Sequence, residues 1–284
     1  MSLLQEHQPT FPPRLVSSPP RQAADWMGAL PSHLRLDALT IPGTHDSGAT
    51  RGGTWVTCQE MTIAEQLAAG VRHLDIRVRL HGGRFGVHHG RWHQGITLDD
   101  VLADCRAFLA EHPTETVLLS LKQEFRPRET VAVASEWARL RARCTDLLLD
   151  GRRTPQLGEA RGRVVVVTRD PAFSGLEQSS WEVHDQWQVH SREFWTSSKW
   201  PAVTDHLRRA RAGRGDRRMW SCHTTSTGWR LAPRPASELA TEHVTRHFAE
   251  LGPRPSGLQP ERNGIVLLDF PPTDLLDTLW QRNL

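Results

Sequence analysis

Two histidines sit in short polar motifs whose residue types can carry acid–base chemistry. His45 lies within Pro42-Gly43-Thr44-His45-Asp46-Ser47-Gly48, and His89 closes a histidine pair ahead of Gly90. An imidazole titrates at about 6.5, so near neutrality one ring can accept a proton while another donates one. Splitting a phosphodiester needs both: a base for the attacking hydroxyl and an acid for the departing alkoxide. Asp46, Asp75 and Asp269 are available to fix a tautomer or stabilise an imidazolium. Arg77 adds a fixed cation for nonbridging phosphate oxygens.

Each of these residues also has an ordinary reading. A lone histidine is often structural, and Arg77 can simply pair with Asp75. Lys122 can contact a phosphate or a sugar hydroxyl, or pair with Glu124. Of the 35 basic residues only Lys122 and Lys199 are lysine, so these two stand out in an arginine-rich chain. His88, His89 and His93 invite a zinc reading. Neighbouring strand residues face opposite sides, however, so at most one of His88 and His89 can face a shared mouth. No H-x-H or H-E-x-x-H pattern occurs, and no metal or other cofactor is expected.

The elements that must position these groups follow from the hydrophobic pattern. Strands are expected near 36–41, 72–77, 85–89, 117–121, 164–168, 183–187, 219–222 and 265–269. Helices are expected over 62–69, 97–112, 129–149, 201–212, 237–251 and 273–282. This alternation predicts an α/β chain folded as an irregular (β/α)8 barrel of TIM type. Only the Gly82-Gly83 turn separates strands two and three, and no clear helix lies between strands five and six. A doubly wound sheet is the alternative, but no G-x-G-x-x-G loop follows the first strand.

In a barrel the C-terminal strand ends share one face. There the pattern places His45, Asp75, Arg77, His89, Lys122, Glu124, Arg169, Asp185, Trp187 and Asp269, from seven strands. Residues 1–25, rich in proline, read as an extended arm, and 26–284 as one catalytic barrel.

Composition excludes several classes. No apolar run is long enough to span a bilayer, and a net charge of +3 is too mild for nucleic-acid binding without a local basic patch. The four cysteines are widely spaced and read as free buried thiols. No secretory signal is visible. Among the 11 tryptophans, Trp55 and Trp229 fall in expected loops, where indoles can enter a lipid interface or merely pack.

The segment from Leu36 to Gly48 resembles the first catalytic segment of bacterial phosphatidylinositol-specific phospholipases C. Segments 74–80, 87–90, 119–124 and 158–164 resemble later ones in family order, and weaker likeness continues to Asp269. The resemblance implies a distorted, partly open barrel and cleavage of phosphatidylinositol to diacylglycerol and inositol 1,2-cyclic phosphate. It implies His45 as general base with Asp269 as its partner, His89 as general acid assisted by Asp46, and Arg77 on the phosphate. Lys122, Arg169, Asp185 and Trp187 fall where the family holds the inositol ring.

Arg77 stands where calcium-dependent relatives place a metal ion, which implies metal-independent catalysis. Val78 replaces a usual glycine, and Trp187 an aromatic that is often tyrosine. The implied partner is an inositol phospholipid at a membrane surface, with no nucleic acid and no obligatory protein partner. Secretion is implied by the resemblance alone. The competing functions are a related phosphodiesterase acting on another headgroup or a glycerophosphodiester, and a noncatalytic membrane-binding barrel.

Overall fold

The apolar runs of the sequence become one curled sheet in the computed structural model, which describes residues 21–124, 130–149, 151–213, 215–228, 230–252 and 259–284. Its 11 strands are β1 (Thr40–Thr44), β2 (His73–His81), β3 (Arg84–His89), β4 (Trp92–Thr97), β5 (Val117–Gln123) and β6 (Leu148–Leu149). They continue with β7 (Val164–Thr168), β8 (Leu176–Glu177), β9 (Glu182–His184), β10 (Trp220–His223) and β11 (Gly264–Leu268).

Along the main path the order is β6-β7-β5-β2-β1-β11-β10-β9, with parallel pairing throughout. Among the described residues β9 pairs with β10 alone, so the barrel does not close. The gap lies where no helix was expected, between β7 and β9.

Period-2 alternation decides which chemistry faces the lumen. On β2, Leu74, Ile76 and Val78 join the large cluster between sheet and helices. His73, Asp75 and Arg77 therefore point inward. Register carries the same face across the sheet, with Asp75 opposite Ser120 and Arg77 opposite Lys122. Lower in the lumen, Leu118, Val165, Val167, Ile265 and Leu267 pack on Trp26, Met27, Leu36 and Leu39. The lumen is thus an apolar plug at its base and polar at its mouth.

Beneath the plug, fully buried Arg72 and Glu115 pair at 2.8 Å. Glu115 also accepts the backbone N–H of Gly28 at 2.9 Å, which ties the chain start to the barrel floor.

Several expectations need correction. Residues 36–38 form a 3-10 turn, and the first strand starts at Thr40. Asp37 accepts the Arg35 guanidinium there, so the apolar run 36–41 is split between a turn and a strand. The strand Trp92–Thr97 was not foreseen; it completes an antiparallel β2–β3–β4 meander. The strand expected over 183–187 covers only Glu182–His184, so Asp185 and Trp187 sit on a loop.

Helices occupy Ile63–Ala68, Leu98–Glu111, Thr130–Arg143, Trp200–Ala212, Pro233–Glu250 and Thr273–Trp280; the one expected over 129–149 stops at Arg143, because Leu148–Leu149 pair with β7 as a strand. The first two begin with capping boxes at Thr62 and Thr97. Residues 21–24 of the expected arm are helical, and its first 20 residues lie outside the described ones.

Candidate active site

The turn after β1 is fixed before any substrate arrives. His45 donates its backbone N–H to the Leu268 carbonyl at 3.0 Å, and Ser47 donates its own to the Asp75 carbonyl at 2.9 Å. The Ser47 hydroxyl returns to the Asp75 N–H at 2.8 Å. Gln59 and Gln66 side-chain amides hold the carbonyls of His45 and Ser47 at 2.7 and 2.8 Å. Asp46 adopts a left-handed backbone with φ of 42°, a conformation aspartate tolerates better than most residues. Two neighbouring strands, the loop of Gln59 and the helix of Gln66 thereby lock the turn.

His45 Nδ1 lies 2.9 Å from Asp269 Oδ1, and its Nε2 lies 2.6 Å from Arg77 Nη2. A guanidinium can only donate, so Nε2 is the acceptor and the ring proton sits on Nδ1, toward Asp269. Burial, then the Arg77 charge, pushes the His45 pKa well below its usual value. The imidazole is therefore neutral, with its Nε2 lone pair held by Arg77 at the cavity wall. Burial and the field of Asp46 push the Asp269 carboxyl up, against the pull of Arg77 and Lys199.

Asp46 is the hub. Its Oδ2 lies 2.7 Å from Arg77 Nη1, 3.5 Å from His45 Nε2 and 3.6 Å from His89 Nε2. Burial raises its pKa to about 6, opposed by the charges of Arg77 and His89. His89 is held from behind, where Nδ1 donates to the Val56 carbonyl at 2.6 Å and leaves Nε2 facing Asp46. After His89, Gly90 takes φ of 58° and donates its N–H to Glu124 at 3.0 Å, which sets the end of β3 against β5.

Asp75 pairs with Arg77 at 3.2 Å and with Arg169 at 2.5 Å. Burial would raise its carboxyl, but Arg169, Arg77 and Lys122 together hold it well below the usual range.

His45, Arg77, His89, Lys122, Glu124, Asp185, Trp187 and Asp269 all border one cavity of about 340 Å³. That volume suits a small polar ligand. Asp46 and Asp75 stand behind the wall as buried partners. Arg169 departs from the expectation, because it borders a neighbouring cavity at the open seam and reaches the site through Asp75. Of the two histidines in the pair, His89 faces the mouth and His88 packs against His93, with ring centroids 5.1 Å apart. Lys122 does pair with Glu124, at 3.7 Å, while still bordering the cavity.

Cys58, Thr225, Ser226, Thr227 and Pro233 also border the cavity and were missed. The polar run after β10 carried a readable signal, since it follows a barrel strand. Cys58 carried none. Buried Cys58, Cys105 and Cys222 and partly buried Cys144 are all free thiols.

Two sets could bring three ligand atoms near one cation, His45–Cys58–Asp269 and Asp46–Cys58–His89. Both share the Cys58 thiol, whose pKa burial and then Asp269 push well above its usual value. Both also abut the Arg77 guanidinium, so a divalent ion there would meet a fixed like charge.

Residues 36–170 match the family model described as phosphatidylinositol-specific phospholipase C, X domain. A 1-phosphatidylinositol phosphodiesterase of Listeria monocytogenes is 25% identical over 91% of this chain and 84% of its own length. One from Staphylococcus aureus is 28% identical over 51% of this chain and 50% of its own length. Among solved structures, a phosphatidylinositol-specific phospholipase C from Listeria monocytogenes superposes with a TM-score of 0.77 at 21% identity. It covers 92% of this chain and 99% of that one.

Proposed function

We propose that this chain, which belongs to the phosphatidylinositol-specific phospholipase C X-domain family, cleaves phosphatidylinositol to diacylglycerol and inositol 1,2-cyclic phosphate. The observation that carries the reading is the convergence of two imidazoles on one buried carboxylate, with a guanidinium between them, at the wall of a single cavity.

Neutral His45 takes the proton of the inositol 2-hydroxyl at Nε2, and that oxygen attacks phosphorus. Asp269 receives the Nδ1–H and steadies the imidazolium that forms. Arg77 leaves Nε2 for a nonbridging oxygen, where its charge is most needed as negative charge builds. The bond to the glycerol oxygen breaks, and protonated His89 supplies the proton that diacylglycerol carries away. Asp46 stabilises the charged form of His89 before that step.

Lys122 and Asp185 offer a cation and an acceptor to ring hydroxyls, and the half-exposed Trp187 indole offers an apolar face to the ring. Arg169 contributes by holding Asp75 rather than by contact with the cavity. The fixed charge that phosphate chemistry requires comes from Arg77, so the reading includes turnover without a divalent ion.

Action at a membrane surface is part of the same proposal. Trp55 and Trp92 are about half exposed, at 53% and 47%, and amphipathic indoles favour an interface. Trp229 lies outside the described residues. No helix among the described residues is long and apolar enough to cross a membrane.

Phosphorus NMR of phosphatidylinositol vesicles with enzyme and chelator tests the reading. A five-membered cyclic phosphate resonance is expected. Its absence, with turnover of a different headgroup in a lipid panel, would overturn the substrate assignment.

A further inference from the structure

Lys199 is one of only two lysines in the chain and is fully buried. It ends a π-helical turn, Trp195–Lys199, that runs directly into the helix Trp200–Ala212. Such turns insert one residue and re-aim the side chains beyond it. Trp195 and Trp200 stack across the turn, with centroids 6.0 Å apart and planes at 11°, which fixes its geometry.

The ammonium donates to the Gln186 carbonyl at 2.7 Å and to the Thr225 carbonyl. No carboxylate among the described residues pairs with it. Ion pairing therefore does not account for this charge; it is spent on two backbone oxygens from different loops.

Those loops are two walls of the cavity. Gln186 lies between Asp185 and Trp187, and Thr225 begins the run Thr225-Ser226-Thr227 that borders the same space. Elsewhere they meet through two backbone bonds, Thr227 N–H to the Trp187 carbonyl at 2.9 Å and Val189 N–H to the Thr227 carbonyl at 3.2 Å. The first loop leaves β9, the last strand of the open barrel, and the second leaves its neighbour β10, so among the described residues no further strand supports the outer one.

We infer that Lys199 is a positioning residue for headgroup recognition, stapling the loop of Asp185 and Trp187 to the Thr225–Thr227 wall so that both face the ring together. The inference rests on the proposed headgroup reading. Lys199 borders no part of the cavity; its ammonium holds the two carbonyls, and its charge also reaches Asp269 through space.

The test uses ring opening of soluble inositol 1,2-cyclic phosphate by water, so that membrane binding plays no part. The same acid and base act there in reverse order: His89 takes the proton of water, and His45 returns one to the 2-oxygen as its bond to phosphorus breaks. Lys199→Met keeps length and apolar volume and removes the donors. It is expected to raise KM about tenfold with a smaller change in kcat. Ring contacts are lost while the reacting groups stay in place, and Asp269 loses only the through-space pull of the ammonium. A merely structural role would instead lower the folded fraction and hence apparent kcat, with KM unchanged; that outcome, or no change in either constant, overturns the inference. Should the Met variant lack a cooperative melt, Lys199→Gln, whose amide can still reach one carbonyl, is judged by the same two constants. Wild-type protein that neither cleaves phosphatidylinositol nor opens the cyclic phosphate counts against the headgroup reading itself. Active wild type with an unmoved KM in the variant counts against Lys199 alone.

Discussion

The two sides of the cavity are built differently. On one side, β1, β2, β5 and β11 lie inside a continuous parallel ladder, with the His89 strand β3 paired antiparallel on β2, and Asp46, Asp75 and Asp269 are almost wholly buried there. On the other side, Asp185 and Trp187 leave the end of an edge strand, and Trp187 is half exposed. The family model stops at residue 170, at the start of this second side. Reaction geometry tolerates little displacement, so it is placed where strand register dictates position. Recognition of a ring can sit on loops, because a small shift costs affinity rather than chemistry.

The strongest way to break this contrast is to remove the acid or the base. His45→Ala and His89→Ala should each lower kcat by about 10²–10⁴-fold, the usual range for acid–base groups. Release of cyclic phosphate from phosphatidylinositol vesicles measures it, and melting curves should show both variants folded. Activity persisting in both would mean that the ladder side does not hold the reacting groups.

A second test separates Asp46 from the histidines by pH. Burial raises its pKa to about 6, so below that value Arg77 and His89 lose their anionic partner, and kcat/KM should fall as pH drops through 6. His45, held well below 6.5, is still neutral there and does not set this limb. In Asp46→Asn the remaining activity should be lower by about tenfold or more, with its acid limb displaced to lower pH.

Stability runs the other way. A carboxyl whose folded pKa exceeds its unfolded 3.8 contributes stability that is complete below 3.8 and lost as pH rises through about 6. The melting temperature of Asp46→Asn relative to wild type should therefore rise over that interval. An acid limb unmoved by the substitution would assign the limb to another group.

Much of the ladder side was legible in the sequence, and the physical reason is alternation. Once β2 is placed by Leu74, Ile76 and Val78, the inward direction of Asp75 and Arg77 follows. Gly90 of H-H-G marks the turn after β3, and Gly43 of P-G-T-H lies inside β1, where a Cβ would press on His73 and Ile265. The loop side was legible only in part, because Asp185 and Trp187 were expected on a strand and lie beyond its end.

Features made by distant contacts were not legible. Cys58 reaches the cavity through a loop of its own, and Arg169 turns toward Asp75 at the open seam, where a closed barrel would have aimed it at the mouth. The meander strand Trp92–Thr97 escaped because only Gln94 is buried in it, and half-buried apolar alternation was absent. Lys199 was conspicuous as a lysine, but no local pattern announces a π turn.

The smallest expected effect sharpens the contrast from the loop side. Trp187 borders the cavity with its indole and is tied by its own carbonyl to Thr227. Loss of an aromatic face is worth about 0.5–1.5 kcal/mol, which is about 2- to 12-fold in affinity. Trp187→Ala should therefore raise KM for inositol 1,2-cyclic phosphate by that factor and leave kcat almost unchanged, while Trp187→Tyr should restore most of the loss. Steady-state kinetics on the soluble substrate reads both constants without interference from vesicle binding. A fall in kcat comparable with that of His45→Ala would show the loop to be part of the reacting geometry, and the division between a rigid chemical wall and an adjustable recognition wall would not stand.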